Sequence, residues 1–167
     1  MKKNKRGVST LVATVLLVLI TIAAVGIIWG AILPLIRKGL GTTQACGIET
    51  RLDIEKRGYT CFNSTGKNVL VEISRPVTLE GLTKILVQVS GEGRTEVYEI
   101  ANGTGSQNVK MYPSGPTIEL PSKGGSRTYN ISAINFNATQ VGVIPVVQLG
   151  TQTITCQTTA TVDLSPC

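Results

Sequence analysis

"VSTLVATVLLVLITIAAVGIIWGAILPLI", Val8 to Ile36, runs for 29 residues without a charged side chain and is almost wholly apolar. As an α-helix it is about 43 Å long. A bilayer's hydrocarbon core of roughly 30 Å needs about 20 such residues, so the run spans a membrane with some excess. A secretory signal peptide has an apolar core of only about 7–15 residues and a small-x-small cleavage site. This run is too long for that, and no Ala-x-Ala follows it. "TTQAC", Thr42 to Cys46, matches a lipoprotein cleavage site poorly. Lys2, Lys3, Lys5 and Arg6 precede the run, and only Arg37-Lys38 follow it. The stronger basic cluster predicts an N-terminus inside and residues 41–167 outside.

The 167 residues suffice for one ordinary domain and an appendage. The formal charge of +6 is poorly placed for nucleic acid. Four of the sixteen positive charges and none of the ten acids lie in residues 1–7, so the rest of the chain carries only +2. The other basic residues are scattered, and no nucleic-acid partner is expected. There is no histidine, which removes the commonest general base and metal ligand. No nucleophile motif and no cluster of acids replaces it. An enzyme is not expected, nor a cofactor, nor a metal.

The junction before the apolar run is specific. The charges stop at Arg6, Gly7 follows, and the apolar residues begin without a spacer. "KNKRG" followed by "VSTLVATVLLVLITIAAVGII" resembles the N-terminus of archaeal type IV pilins and archaellins. Those proteins carry a class III signal, a short basic leader ending in glycine. A prepilin peptidase removes the leader and keeps the apolar helix. The resemblance implies cleavage between Gly7 and Val8. It covers about 30 residues of this chain. Bacterial pilins usually carry Glu at the fifth mature position, which is Val12 here; archaeal members commonly lack that acid.

Within the helix, Gly26 and Gly30 form a Gly-x-x-x-Gly that lets helix backbones approach closely. Thr10, Thr14 and Thr21 fall near one face, with hydroxyls able to bond backbone carbonyls or a neighbour. Pro34 is expected to kink or end the helix near Leu33. The domain reading is a basic leader (1–7), a membrane or filament-core helix (8–38), a glycine-containing hinge (39–45) and an extracellular domain (46–167).

From Ile48 the period changes to two. Ile48, Thr50, Leu52 and Ile54 alternate with Glu49, Arg51, Asp53 and Glu55, as in a strand with one buried face. Similar runs follow at Val69-Val71-Ile73, Ile85-Val87-Val89, Val97–Ile100, Ile118–Leu120, Tyr129–Ile134, Val141–Leu149 and Gln152–Cys156. Gly-, Asn-, Pro- and Ser-rich stretches separate them. Seven to nine short strands predict an all-β sandwich, immunoglobulin-like in architecture, so the fold class is α+β. Pro145 predicts an edge position or a bulge. "GEG", "GTG" and "KGG" lack a following helix and read as loop tips, not phosphate cradles.

Cys46, Cys61, Cys156 and Cys167 all lie beyond the membrane segment. An even number in an exported domain predicts two disulfides. Spacings of 15 and 11 within the early and late pairs are wrong for zinc. Three pairings are possible. The local one, Cys46–Cys61 with Cys156–Cys167, requires Cα atoms within about 7 Å. A hairpin turning near Arg57-Gly58 places Cys61 opposite Ile54, too far from Cys46, and a continuous strand separates them further. Pairing the first strand with the last joins an early to a late cysteine, in an order the sequence leaves open. Asn63, Asn102, Asn130 and Asn137 each begin an Asn-x-Ser/Thr glycan acceptor.

The resemblance implies a structural subunit of a pilus-like surface filament, and it allows a role in adhesion. The chain would enter the cytoplasmic membrane, be cut by the prepilin peptidase, and join copies of itself through assembly machinery. The alternative is a permanently anchored, single-pass surface binding module. It differs only in being neither cut nor polymerised.

Overall fold

The computed structural model describes residues 10–36, 46–47, 51–104, 106–113, 115, 117–158 and 160–167. The chain divides into residues 1–41 and residues 42–167. The expected leader, hinge and Gly7-Val8 junction lie outside the described residues.

In the first unit, helix α1 runs from Thr10 to Ile27 and continues into a π-helical stretch, Ile28–Ile32. Helical backbone then extends to Ile36. Pro34 therefore does not end the helix at Leu33. A proline cannot donate to the carbonyl four residues back, and its ring crowds that carbonyl. Widening the turn ahead of it lets the helix continue, and π turns commonly mark such sites.

The second unit is a sandwich of short strands, as the alternation predicts. They are β1 (Asp53–Ile54), β2 (Cys61–Asn63), β3 (Asn68–Ser74), β4 (Leu82–Gly91), β5 (Arg94–Ala101), β6 (Gly103–Thr104) and β7 (Val109–Met111). There follow β8 (Thr117–Ile118), β9 (Ser126–Ile131), β10 (Gln140–Leu149), β11 (Gln152–Thr155), β12 (Ala160–Asp163) and β13 (Ser165–Pro166). The first sheet has the order β13-β2-β3-β9-β7, with β1 also on β3. The second has the order β11-β10-β4-β5, with β12 also on β10; β6 and β8 form a small ribbon.

Alternate residues of the facing strands make one core. Val69, Val71, Ile73, Tyr129 and Ile131 of the first sheet and Ile85, Val87, Val89, Val141 and Val143 of the second are wholly buried. They belong to a single apolar cluster that also takes in Leu52, Phe62, Phe136 and Cys156. Burying each large aliphatic side chain is worth about 1.5–3 kcal/mol. In β5, Val97 is exposed and Tyr98 and Ile100 point inward.

Two expectations about connectivity change. Among the described residues, 51–62 do not form a hairpin. Asp53 and Ile54 pair with Ser74 and Ile73, and Cys61 and Phe62 pair with Leu70 and Val69, all antiparallel. β1 and β2 therefore run along the same side of β3 in one direction, with residues 55–60 as an excursion between them. Thr60 anchors its return, accepting a hydrogen bond from Glu72 N at 3.2 Å. The excursion passes so close to Glu72 that a Cβ on Gly58 would lie 2.2 Å from its Oε2.

Of the edge position and the bulge expected at Pro145, the edge position is overturned, and the bulge holds as a register shift beside it. β10 has β4 on one side and β11 and then β12 on the other. Pro145 sits where β11 has ended and β12 has not begun, one residue before a register shift against β4. Its carbonyl accepts from Cys156 N at 3.0 Å on the β11/β12 side. A strand residue's N–H and C=O point the same way, so the missing N–H faces that gap and costs no ladder bond.

Candidate functional site

Among the described residues, no three His, Cys, Asp or Glu side chains are grouped so as to hold a metal ion. Three features carry chemistry: the apolar helix, the cystine-closed seam of the sandwich, and the acceptor asparagines.

The helix from Leu11 to Ile36 is 26 residues long and wholly unburied, about 39 Å at the helical rise. Leu11, Leu17, Ile20, Ile22, Ile27 and Trp29 are all more than 60% exposed, so apolar surface faces every direction and not one stripe. The hydroxyls of Thr14 and Thr21 turn inward. Thr14 Oγ1 donates to Leu11 O at 2.9 Å, and Thr21 Oγ1 to Val18 O at 2.8 Å. They are satisfied within their own helix, which makes them compatible with lipid. An added Cβ on Gly26 or Gly30 would meet nothing within 4 Å. Both glycines thus leave bare backbone on the surface.

All four cysteines are paired, each early one with a late one. Cys46–Cys156 spans 110 residues and Cys61–Cys167 spans 106. The order follows from the last strands. β12 lies on the second sheet beside β10, and β1 of the first sheet packs near it. The chain then crosses at Leu164, whose N–H donates to Thr139 O, and joins the first sheet as β13. β13 is parallel to β2, with Ser165 opposite Cys61 and Pro166 opposite Phe62. Parallel pairing carries Cys167 along β2, and its N–H reaches Phe62 O at 3.1 Å. Cys156 falls in the break between β11 and β12, near Cys46. Both bridges thus staple the seam where the start and end of the domain meet. Neither β12 nor β13 was expected from the alternation, because strands of four and two residues are too short for a period to register.

The acceptor asparagines all lie on strands or loops at the domain surface. Asn63, Asn102 and Asn137 are exposed, and Asn130 is half-buried on β9. A helix able to cross a membrane and two disulfides together fit a membrane-anchored or secreted chain whose domain lies in an oxidising compartment.

Two buried phenols hold the interior. Tyr129 OH donates to Glu119 O at 2.6 Å. Burial pushes its pKa well above the usual tyrosine range, against the lowering effect of Arg127. Tyr98 is shifted the same way, first by burial and then by its hydrogen bond to Glu96. On the surface, Lys123 pairs with Glu80 and lowers that carboxyl's pKa through the hydrogen bond. Such an exposed pair adds little stability. The chain matches no protein-family model and no curated protein.

Proposed function

We propose that the chain is the precursor of a structural subunit, a pilin, of an archaeal type IV pilus-like surface filament. The observation that carries this reading is the helix Leu11–Ile36, charge-free and unburied on all sides. Such a surface is stable only in lipid or against other apolar helices. A filament core made of copies of this helix replaces one apolar surrounding by another, so the helix leaves the membrane without meeting water. Close packing in that core would rest on dispersion and on small residues, which Gly26 and Gly30 supply. The resemblance of residues 3–28 to archaeal pilins and archaellins supports the same reading. The sandwich would coat the outside, closed by its two disulfides.

The test is the N-terminus of protein sheared from the cell surface. The expected first residue is Val8. Gly7→Leu should block the cut, because the peptidase must accommodate the residue before the scissile bond. Uncut chains would bring Lys2, Lys3, Lys5 and Arg6 into a core whose helices offer no acid. Burying one unpaired charge costs several kcal/mol. The variant should therefore accumulate in the membrane without forming filaments. An N-terminus at Met1 or Lys2 on wild-type surface protein, with Gly7→Leu fully functional, establishes the permanently anchored module instead.

A further inference from the structure

Three of the four acceptor sequences share one end of the sandwich. There Ile134 N donates to Lys67 O, Thr139 N to Ser90 O, and Asn137 Nδ2 to Glu92 Oε1. These contacts bring together the β2–β3 turn, the β4–β5 turn and the β9–β10 connection. Asn63, Asn130 and Asn137 meet the same Asn-x-Ser/Thr requirement, yet their side chains are held in three different ways.

Asn130 lies within β9, with its backbone paired to Leu70 on one side and Lys110 on the other. Its Oδ1 accepts from Asn68 Nδ2 at 2.9 Å, and the hydroxyl of its partner Ser132 donates to Asn108 O at 3.3 Å. What sets Asn130 apart is its place: it is half-buried in a ladder paired on both sides, and the hydroxyl of its Ser132 is already bonded. Asn137 is exposed, but its reactive nitrogen donates to the Glu92 carboxylate at 2.6 Å. A bond to a charged acceptor is stronger than one to a neutral acceptor and must break before that nitrogen can react.

Asn63 is held from its other end. Its Oδ1 accepts from Thr65 N at 3.0 Å and from Gly66 N at 2.9 Å. Among the described residues, none accepts a hydrogen bond from its Nδ2. Asn63, Ser64 and Thr65 are all exposed. The oxygen is pinned and the nitrogen is presented to solvent. Gly66 keeps the approach clear. A Cβ there would stand 3.1 Å from Asn63 Nδ2 and 2.5 Å from Asn68 Oδ1.

We propose that Asn63 is the glycan acceptor at this end, selected by geometry after the domain has folded. The glycosyl donor is an oligosaccharide whose anomeric carbon is activated by a phosphate leaving group. Asn63 Nδ2 forms a bond to that carbon, and the carbon–oxygen bond to phosphate breaks. The phosphate leaves with the electron pair, and one amide proton passes to a base of the transferase. The proposal needs an exported domain and does not depend on filament formation.

The experiment is site-resolved mass spectrometry of glycopeptides from the full chain, isolated from the surface of its native host. The expected result is a hexose-containing mass on Asn63 in most copies, with Asn130 nearly bare and Asn137 low. Asn63→Gln should remove most of the added mass at this end. Glu92→Gly should raise occupancy of Asn137, because it deletes the competing carboxylate at a position whose φ of 51° suits glycine. An unmodified Asn63 would overturn the proposal. So would Asn130 occupied as fully as Asn63, which would mean transfer before folding, on sequence alone. No change at Asn137 in Glu92→Gly would overturn the geometric account as well.

Discussion

The helix and the sandwich are stabilised in opposite ways. Between Leu11 and Ile36 the hydrogen bonds are local, and even Thr14 and Thr21 bond carbonyls three residues away. In the sandwich the decisive partners are distant in sequence. Thr83 reaches Val146 O, Asn68 reaches Asn130, and each disulfide spans more than 100 residues. The helix satisfies its own polar groups and leaves its apolar surface to its surroundings. The sandwich uses its own core. The first region is therefore stable in a medium and the second in water, which is what a chain with one part in a membrane and one outside requires.

Breaking the seam of the sandwich should have the largest effect. Replacing Cys46 and Cys156 by serine is expected to destabilise residues 42–167 by about 2–5 kcal/mol, read as a lower midpoint in denaturant. The two bridges should also differ. Cys156 is 7% exposed, whereas Cys167 is exposed. An added reductant is expected to open Cys61–Cys167 first, seen as earlier alkylation of those two thiols. Simultaneous labelling of all four would show that the seam opens as a unit.

A charge in the helix should affect only the other region. Leu19→Lys places an ammonium near the middle of the span, at about 2.5–3.5 kcal/mol for insertion. The expected outcome is loss of the chain from the membrane fraction. Leu19 is 58% exposed and packs into no core, so the domain should melt at the wild-type temperature. A lowered melting temperature would show that the two regions stabilise one another.

The smallest effect comes from a single bond in the core. Tyr129→Phe removes the hydrogen bond to Glu119 O and should cost about 1 kcal/mol. It should also change the alkaline limb. Burial raises the folded-state pKa of Tyr129 above the unfolded value of about 10. Its neutral form is therefore tied to the fold. That contribution is full below pH of about 10 and falls as pH rises toward the folded-state value. Tyr129→Phe should flatten the loss of stability in that range without abolishing it, since Tyr98 is shifted in the same direction. Circular dichroism melts at stepped alkaline pH measure this, and an unchanged limb would assign it to other groups.

Much of this was legible in order along the chain. The uncharged run from Val8 to Ile36 determined the helix, because helical hydrogen bonds are local and lipid accepts apolar surface on every side. Two-residue alternation at Val69-Val71-Ile73 and Ile85-Val87-Val89 determined strands and named their buried faces, because a pleat alternates its side chains. The four cysteines and four acceptor sequences were countable. Tertiary structure decided which partners these features have. A period of two says which face is buried but not which strand lies alongside, so the excursion at residues 55–60 read as a hairpin. Cysteine pairing waited on the parallel register of β13 with β2, two residues long and about 100 residues apart. The acceptor asparagines look identical in sequence. Only the fold sets Asn68 against Asn130 and Glu92 against Asn137 and leaves Asn63 Nδ2 presented, because hydrogen bonds between distant segments exist only once the sheets have packed.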